Sequence, residues 1–266
     1  MLSCDAWVES MNPIPVLGTA VVNAPHWVYR LFYSIDYPVD TFVVFNNNGR
    51  NQLTEQLDLL TKVPHKYVKR VVVTHMPSNI GCSGAWNLII KSFMSAPYWV
   101  ITNHDLMFTP GFLAKAVESA QDAETGIVHG ENGSWDFFLL KDWVVQQFGL
   151  FDENLYPAYC EDMDYGMRFK HREFKRCMSV GVPYYHGETA GDYKDGSQTW
   201  RSEPELAQGI HYAHEMNKQY LHAKWNPAWQ AHVEGEVYKH PFNNSNIPID
   251  YTAYDLNFVR SKNLGF

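Results

Sequence analysis

Four stretches of this sequence set groups able to bind a cation or move a proton among apolar neighbours. The first is Asn103-His104-Asp105, which follows the apolar run Tyr98-Trp99-Val100-Ile101 and precedes a second apolar stretch. A carboxylate just beyond a buried strand needs a partner. Mg2+ or Mn2+ would supply one, because both prefer oxygen ligands and share them with phosphates. A turn or a cap before the helix beginning near Pro110 is the plainer role for Asp105. The second stretch is "GLFDENLYPAYCEDMDYGMRF", residues 149–169, where Asp152, Glu153, Glu161, Asp162 and Asp164 crowd together. Glu161 and Asp162 stand at the expected start of a helix, whose positive end favours ionised carboxylates. A carboxylate there can take a proton from a hydroxyl held against it; capping and a solvated acidic face explain the same residues without chemistry.

The third is His186, at the end of the apolar run "VPYY". A neutral imidazole in that place can ligate a metal, or simply be hydrogen-bonded. The fourth is "NIGCSGAWN", residues 79–87. Gly81 and Gly84 allow close backbone approach at a helix start, where amide groups meet phosphate or a carbonyl. The stretch is neither G-x-x-x-x-G-K-[ST] nor G-x-G-x-x-G, so P-loop and dinucleotide-binding readings fail. His211 and His214 also fail the H-E-x-x-H pattern, since Lys218 stands four residues after His214.

The elements that must position these groups alternate. Apolar runs at 16–22, 41–45, 68–74 and around Trp99 read as strands. Between them, Trp27, Leu31 and Ile35, then Leu53, Leu57 and Leu60, recur at helical spacing. The third connection is the stretch after Gly81. This order predicts an α/β fold with a mainly parallel sheet covered by helices on both faces. In such sheets ligands bind beyond the carboxyl ends of strands, where "NNNGR" and "NHD" both sit. After residue 125 short strands are expected at 126–129, 135–140 and 177–185. Helices are expected at 141–148, 161–171 and 203–224. Residues 226–266 read as an extension packed on the domain.

Composition narrows the function. The chain has 266 residues, 45% hydrophobic and 19% charged, with a formal net charge of −8. That acidity disfavours nucleic acid or an anionic membrane as a bulk partner. The four cysteines never fall at C-x-x-C spacing, which argues against structural zinc and fits reduced thiols in the cytoplasm. No run reaches the roughly 20 apolar residues of a transmembrane helix, and the first fifteen residues lack a signal-peptide pattern.

Taken in order, strand-Asn23-helix, strand-"NNNG", "NxGxxGAxN", strand-"NHD", "GLFDE…ED…R" and strand-His186 resemble the GT-A fold glycosyltransferases of the family 2-like group. The resemblance covers about residues 15–225. It implies a Rossmann-like GT-A domain over 1–225, with a nucleotide-binding half at about 15–110 and an acceptor half at about 111–225. It further implies inverting transfer of a sugar from a nucleotide diphosphate sugar to a hydroxyl of a glycan or glycoconjugate. By the same resemblance Asp162 is the catalytic base and Glu161 positions the acceptor. Asp105 and His186 hold Mn2+ or Mg2+. The donor is expected to meet Asn23, Asn46, Asn47, Gly81, Asn87, Asn103 and His104. Asn103 stands where the family usually has an aspartate, and Asn46 or Asn47 where it has the base-pairing aspartate. Trp135 and Asp136 are expected to face the sugar, core packing explaining Trp135 equally well, and Arg201, in a segment 191–202 suited to closing over the donor, is expected to meet a phosphate. A sugar-binding module, an inactive relative of the enzymes and a metal-dependent hydrolase or nucleotidyltransferase are the competing readings.

Overall fold

The computed structural model describes residues 12–48, 53–190 and 197–225. The expected extension at 226–266, the "GR" of "NNNGR" and residues 191–196 of the closing segment lie outside the described residues. Ten strands are described: β1 (Ile14–Val21), β2 (Val39–Asn46), β3 (Val68–His75), β4 (Tyr98–Thr102), β5 (Leu106–Phe108), β6 (Ile127–His129), β7 (Phe137–Lys141), β8 (Cys177–Ser179), β9 (Tyr184–His186) and β10 (Thr189–Ala190). Helices α1 (His26–Tyr33), α2 (Thr54–Leu60), α3 (Gly81–Ser92), α4 (Phe112–Ser119), α5 (Asp142–Phe148), α6 (Glu161–His171), α7 (Gln198–Arg201) and α8 (Pro204–Trp225) intervene or follow.

Seven strands form the main sheet in the order β3-β2-β1-β4-β7-β6-β8. Pairing is parallel from β3 through β4 and between β6 and β8, and antiparallel on both sides of β7. The sheet is therefore mixed and mainly parallel. Strand alternation explains why its apolar runs are continuous. Phe137 and Leu139 of β7 enter the core on one face, with Leu17, Phe42 and Val100. Phe138 and Leu140 enter the core on the other, with Val43, Trp99 and Ile101. Helix α3 lies so close to β1 that a Cβ on Gly18 would come within 2.8 Å of Ile89. Among the described residues no helix is long and apolar enough to cross a membrane.

Two expectations change. The run 177–185 is not one strand. Cys177–Ser179 pairs with β6 at the sheet edge, whereas Tyr184–His186 joins β5 and β10 in a separate three-stranded sheet. The break falls at Gly181, at φ +69°, followed by Pro183, which cannot donate to a ladder. The other change is β5 itself, three residues read from sequence as the approach to a helix. Its register sets Leu106 opposite His186, and that pairing brings the third chemical stretch of the chain, at His186, to the first, at Asp105.

Candidate active site

The carboxyl ends of β1, β2 and β4 open onto a cavity of about 280 Å³. One wall carries Ala20, Val22, Asn47, Asn79, Gly81 and Cys82. Asn103, His104 and Asp105 form the floor with Ser134, Trp135 and Asp136. Pro157 to Tyr159, Glu161 and Asp162 close a third side. Trp200, Leu206 and Ile210 cover it from α7 and α8.

Each group is held by a local device. The Asn103 N–H donates to Asp136 O at 2.7 Å, tying the end of β4 to the start of β7. Asp105 is buried; its Oδ2 accepts the Gln198 N–H at 2.6 Å and its Oδ1 lies 3.4 Å from His186 Nε2. His186 Nδ1 is 3.0 Å from Asp136 Oδ2, and Asp136 Oδ1 accepts the Tyr184 hydroxyl at 2.6 Å. Burial opposes a charge on His186, but the flanking Asp105 and Asp136 outweigh it and raise its pKa to about 10. Burial also opposes the Asp105 charge, and His104, His186 and the Gln198 N–H outweigh that, holding Asp105 at about 2.

The contacts of His186 are close but poorly aligned. Asp105 Oδ1, Asp136 Oδ2 and both ring nitrogens have no aligned hydrogen-bond partner. The carboxylate lone pairs fit a cation, which on binding would replace the proton that His186 otherwise holds. Among the described residues no three His, Cys, Asp or Glu side chains converge as a metal cage. The chain thus offers a partial oxygen–nitrogen shell, which suits an ion whose remaining ligands are phosphate oxygens and water.

Across the cavity, Glu161 and Asp162 begin α6. Glu161 is 6% exposed, its Oε2 has no hydrogen-bond partner, and Cys82 lies against it. Burial first, then the Asp162 charge, push its pKa to about 8. Burial likewise raises Asp162, opposed by the Met163 N–H that donates to its Oδ1 at 2.7 Å. Glu161 therefore keeps its proton near neutrality. The turn leading into α6 puts Tyr159 at φ +74° and Cys160 at φ +77°, a cost of about 1–3 kcal/mol each for residues other than glycine.

Of the residues expected here, Asn47, Gly81, Asn103, His104, Asp105, Trp135, Asp136, Glu161 and Asp162 line the cavity. His186 stands behind Asp105 and Asp136. Asn47 reaches the cavity, yet its amide is engaged: Nδ2 donates to Asn79 and Gly81 O, and Oδ1 accepts the Ile80 N–H. Four expected donor contacts do not line it. Asn46 contacts the His75 ring at 3.0 Å. The Asn87 amide is wholly buried, exchanging hydrogen bonds with the Phe151 backbone and donating to Glu153. It supports the "GLFDE" stretch from behind. Asn23 donates to Thr199 O and Glu203. Arg201 is exposed, with its guanidinium over the Trp200 ring. Sequence reasoning missed Asn79, Cys82, Tyr159 and Trp200. All four lay inside stretches singled out from the sequence, at 79–87, 149–169 and 191–202, but nothing in those stretches marked these four side chains as lining a cavity.

A mixed, mainly parallel α/β sheet with helices on both faces and a polar cavity at the carboxyl ends of its strands is the architecture of the GT-A class of glycosyltransferase. The chain belongs to glycosyl transferase family 2, whose family model matches residues 19–192. Transfer of a glycosyl group from a nucleotide sugar follows from that membership. The chain is similar to a galactofuranosyl glycosyltransferase of Leishmania donovani, with 24% identity over an alignment 317 positions long, gaps included, that covers 88% of this chain and 72% of that one. Its fold resembles residues 1–349 of S. aureus TarS in complex with UDP-GlcNAc, at TM-score 0.51 and 13% identity, covering 68% of this chain. The chain spans 60% of that TarS chain.

Proposed function

We propose that this chain is an inverting, metal-dependent glycosyltransferase that moves a sugar from a nucleoside diphosphate sugar to a hydroxyl of a glycan or glycoconjugate. The observation that carries this reading is that Asp162 and Asp105, the latter paired with His186, line one cavity. Asp105 and His186 would hold Mn2+ or Mg2+, which neutralises charge on the departing diphosphate. Asn103 and His104 lie beside that group, and Asn47, Asn79 and the backbone at Gly81 line the end of the cavity suited to the nucleotide.

The acceptor oxygen attacks the anomeric carbon as the bond from that carbon to the diphosphate oxygen breaks. Asp162 takes the acceptor proton, and the nucleoside diphosphate leaves with the bonding electrons. One displacement of this kind inverts the anomeric centre. Glu161, protonated at neutral pH, can donate a hydrogen bond to an acceptor oxygen. Trp135 and Asp136 offer a ring face and a carboxylate to the donor sugar.

The name of the Leishmania relative makes UDP-galactofuranose the first donor to test, beside UDP-GlcNAc, UDP-galactose, GDP- and dTDP-sugars. Release of free nucleoside diphosphate with Mn2+, absent without it, supports the reading. Sugar binding without nucleotide affinity would replace it with a binding module.

A further inference from the structure

Asn217 lies in the middle of α8 and is fully buried. A buried amide must be satisfied, and the partners of this one are informative. Its Nδ2 donates to Ala158 O at 3.0 Å and to Tyr159 O at 2.9 Å. Those are the carbonyls entering the left-handed Tyr159–Cys160 turn. Cys160 is the N-cap of α6 and makes no side-chain cap hydrogen bond, so the turn itself sets the direction of the helix that carries Asp162. From the other side the Cys82 N–H donates to Pro157 O at 2.6 Å, and the Tyr156 hydroxyl to Asn79 O at 3.0 Å.

Helix α8 grips the same region a second time. Lys224 Nζ lies 2.8 Å from Asp152 Oδ2 and 2.7 Å from Asp164 Oδ1, and Trp225 Nε1 donates to Asp164 Oδ1 at 2.7 Å. Asp164 is two residues past Asp162. Asn217, Leu221, Lys224 and Trp225 recur at helical spacing on one buried face. Nearer its start, α8 gives Leu206 and Ile210 to the cavity.

We infer that α8 is the positioning element of the base, and that Asn217 is a positioning residue for Asp162 through the turn at 158–160. The inference rests on the reading of Asp162 as base. A helix that holds the turn before α6 and the first turn of α6 fixes the carboxylate against the wall the same helix supplies. Displacement of a reacting group by about 1 Å costs on the order of 10²-fold in rate, so a side chain that never touches substrate can control turnover.

The test compares Asn217→Ala with wild type and with Asp162→Asn, using hydrolysis of UDP-galactofuranose with Mn2+ and binding of UDP with Mn2+. The expected result is a fall in kcat of tenfold or more with Kd for UDP changed less than twofold. Hydrogen exchange should quicken in peptides spanning 157–164 and not in β1 to β4. Should Asn217→Ala fail to fold, Asn217→Ser, which keeps one donor, should give a smaller loss with the same split. Wild-type kcat and exchange in the folded variant, or a parallel fall of kcat and UDP affinity with the folded fraction, would overturn the inference. Near-normal turnover by Asp162→Asn would instead overturn the assignment of the base.

Discussion

His186 Nε2 lies 3.4 Å from Asp105 Oδ1 because the β5–β9 ladder sets His186 opposite Leu106, the residue after Asp105. Backbone pairing therefore builds the carboxylate–imidazole group, and no side-chain network need find it. Its second nitrogen lies 3.0 Å from Asp136 Oδ2, and Asp136 is itself held by Tyr184. Outer partners of this kind orient metal-binding imidazoles and carboxylates.

If that group holds the ion, Asp105→Asn and His186→Ala should weaken Mn2+-dependent UDP binding by about tenfold or more, by analogy with the loss seen for outer partners. Calorimetric titration of UDP with Mn2+ and with EDTA measures it. Equal affinity in EDTA would remove the metal from the account.

Glu161 gives a pH prediction with a definite sign. Its folded pKa of about 8 stands above the ordinary glutamate value, so the folded state keeps a proton that the unfolded chain has lost. Stability from this group is fully present below about pH 4.3, the unfolded value, and is lost as pH rises through about 8. The groups beside it are Asp162 and Cys82. Glu161→Gln removes the titration. Melting curves from pH 5 to 9 should therefore diverge, the variant gaining on wild type by on the order of a few kcal/mol. Parallel curves would show that Glu161 is not protonated in the fold.

Lys224 is buried to 2% exposure between Asp152 and Asp164, and Arg168 and Trp225 share Asp164. Lys224→Met leaves buried carboxylate charge short of a partner, which destabilises by about 3–5 kcal/mol. Urea denaturation reads this directly; a change under about 1 kcal/mol would mean that Arg168, Tyr220 and Trp225 suffice.

The sequence showed much of this fold because its periods are clean. Leu53, Leu57 and Leu60 gave a helix, the valines of 68–74 a strand, and the Glu161–Asp162 pair fell at the first turn of the helix expected at 161–171. What stayed hidden depended on long-range pairing. Three residues of β5 carry no period of their own, and β8 and β9 part company at a glycine–proline break. Side-chain amides misled for a related reason. Asn46 and Asn87 sit in ligand-like motifs, yet both are engaged by the fold, with His75 and with Phe151 and Glu153. Lys224 carries no signal in the sequence, and only the folded chain reveals two aspartates around it.

In the proposed reaction Asp162 removes the acceptor proton. Asp162→Asn tests it most directly, with UDP-sugar turnover and UDP–Mn2+ binding measured on the same preparation. The expected result is a loss of about 10²–10⁴ in kcat with nucleotide affinity unchanged. Turnover near the wild-type rate in that variant would contradict it.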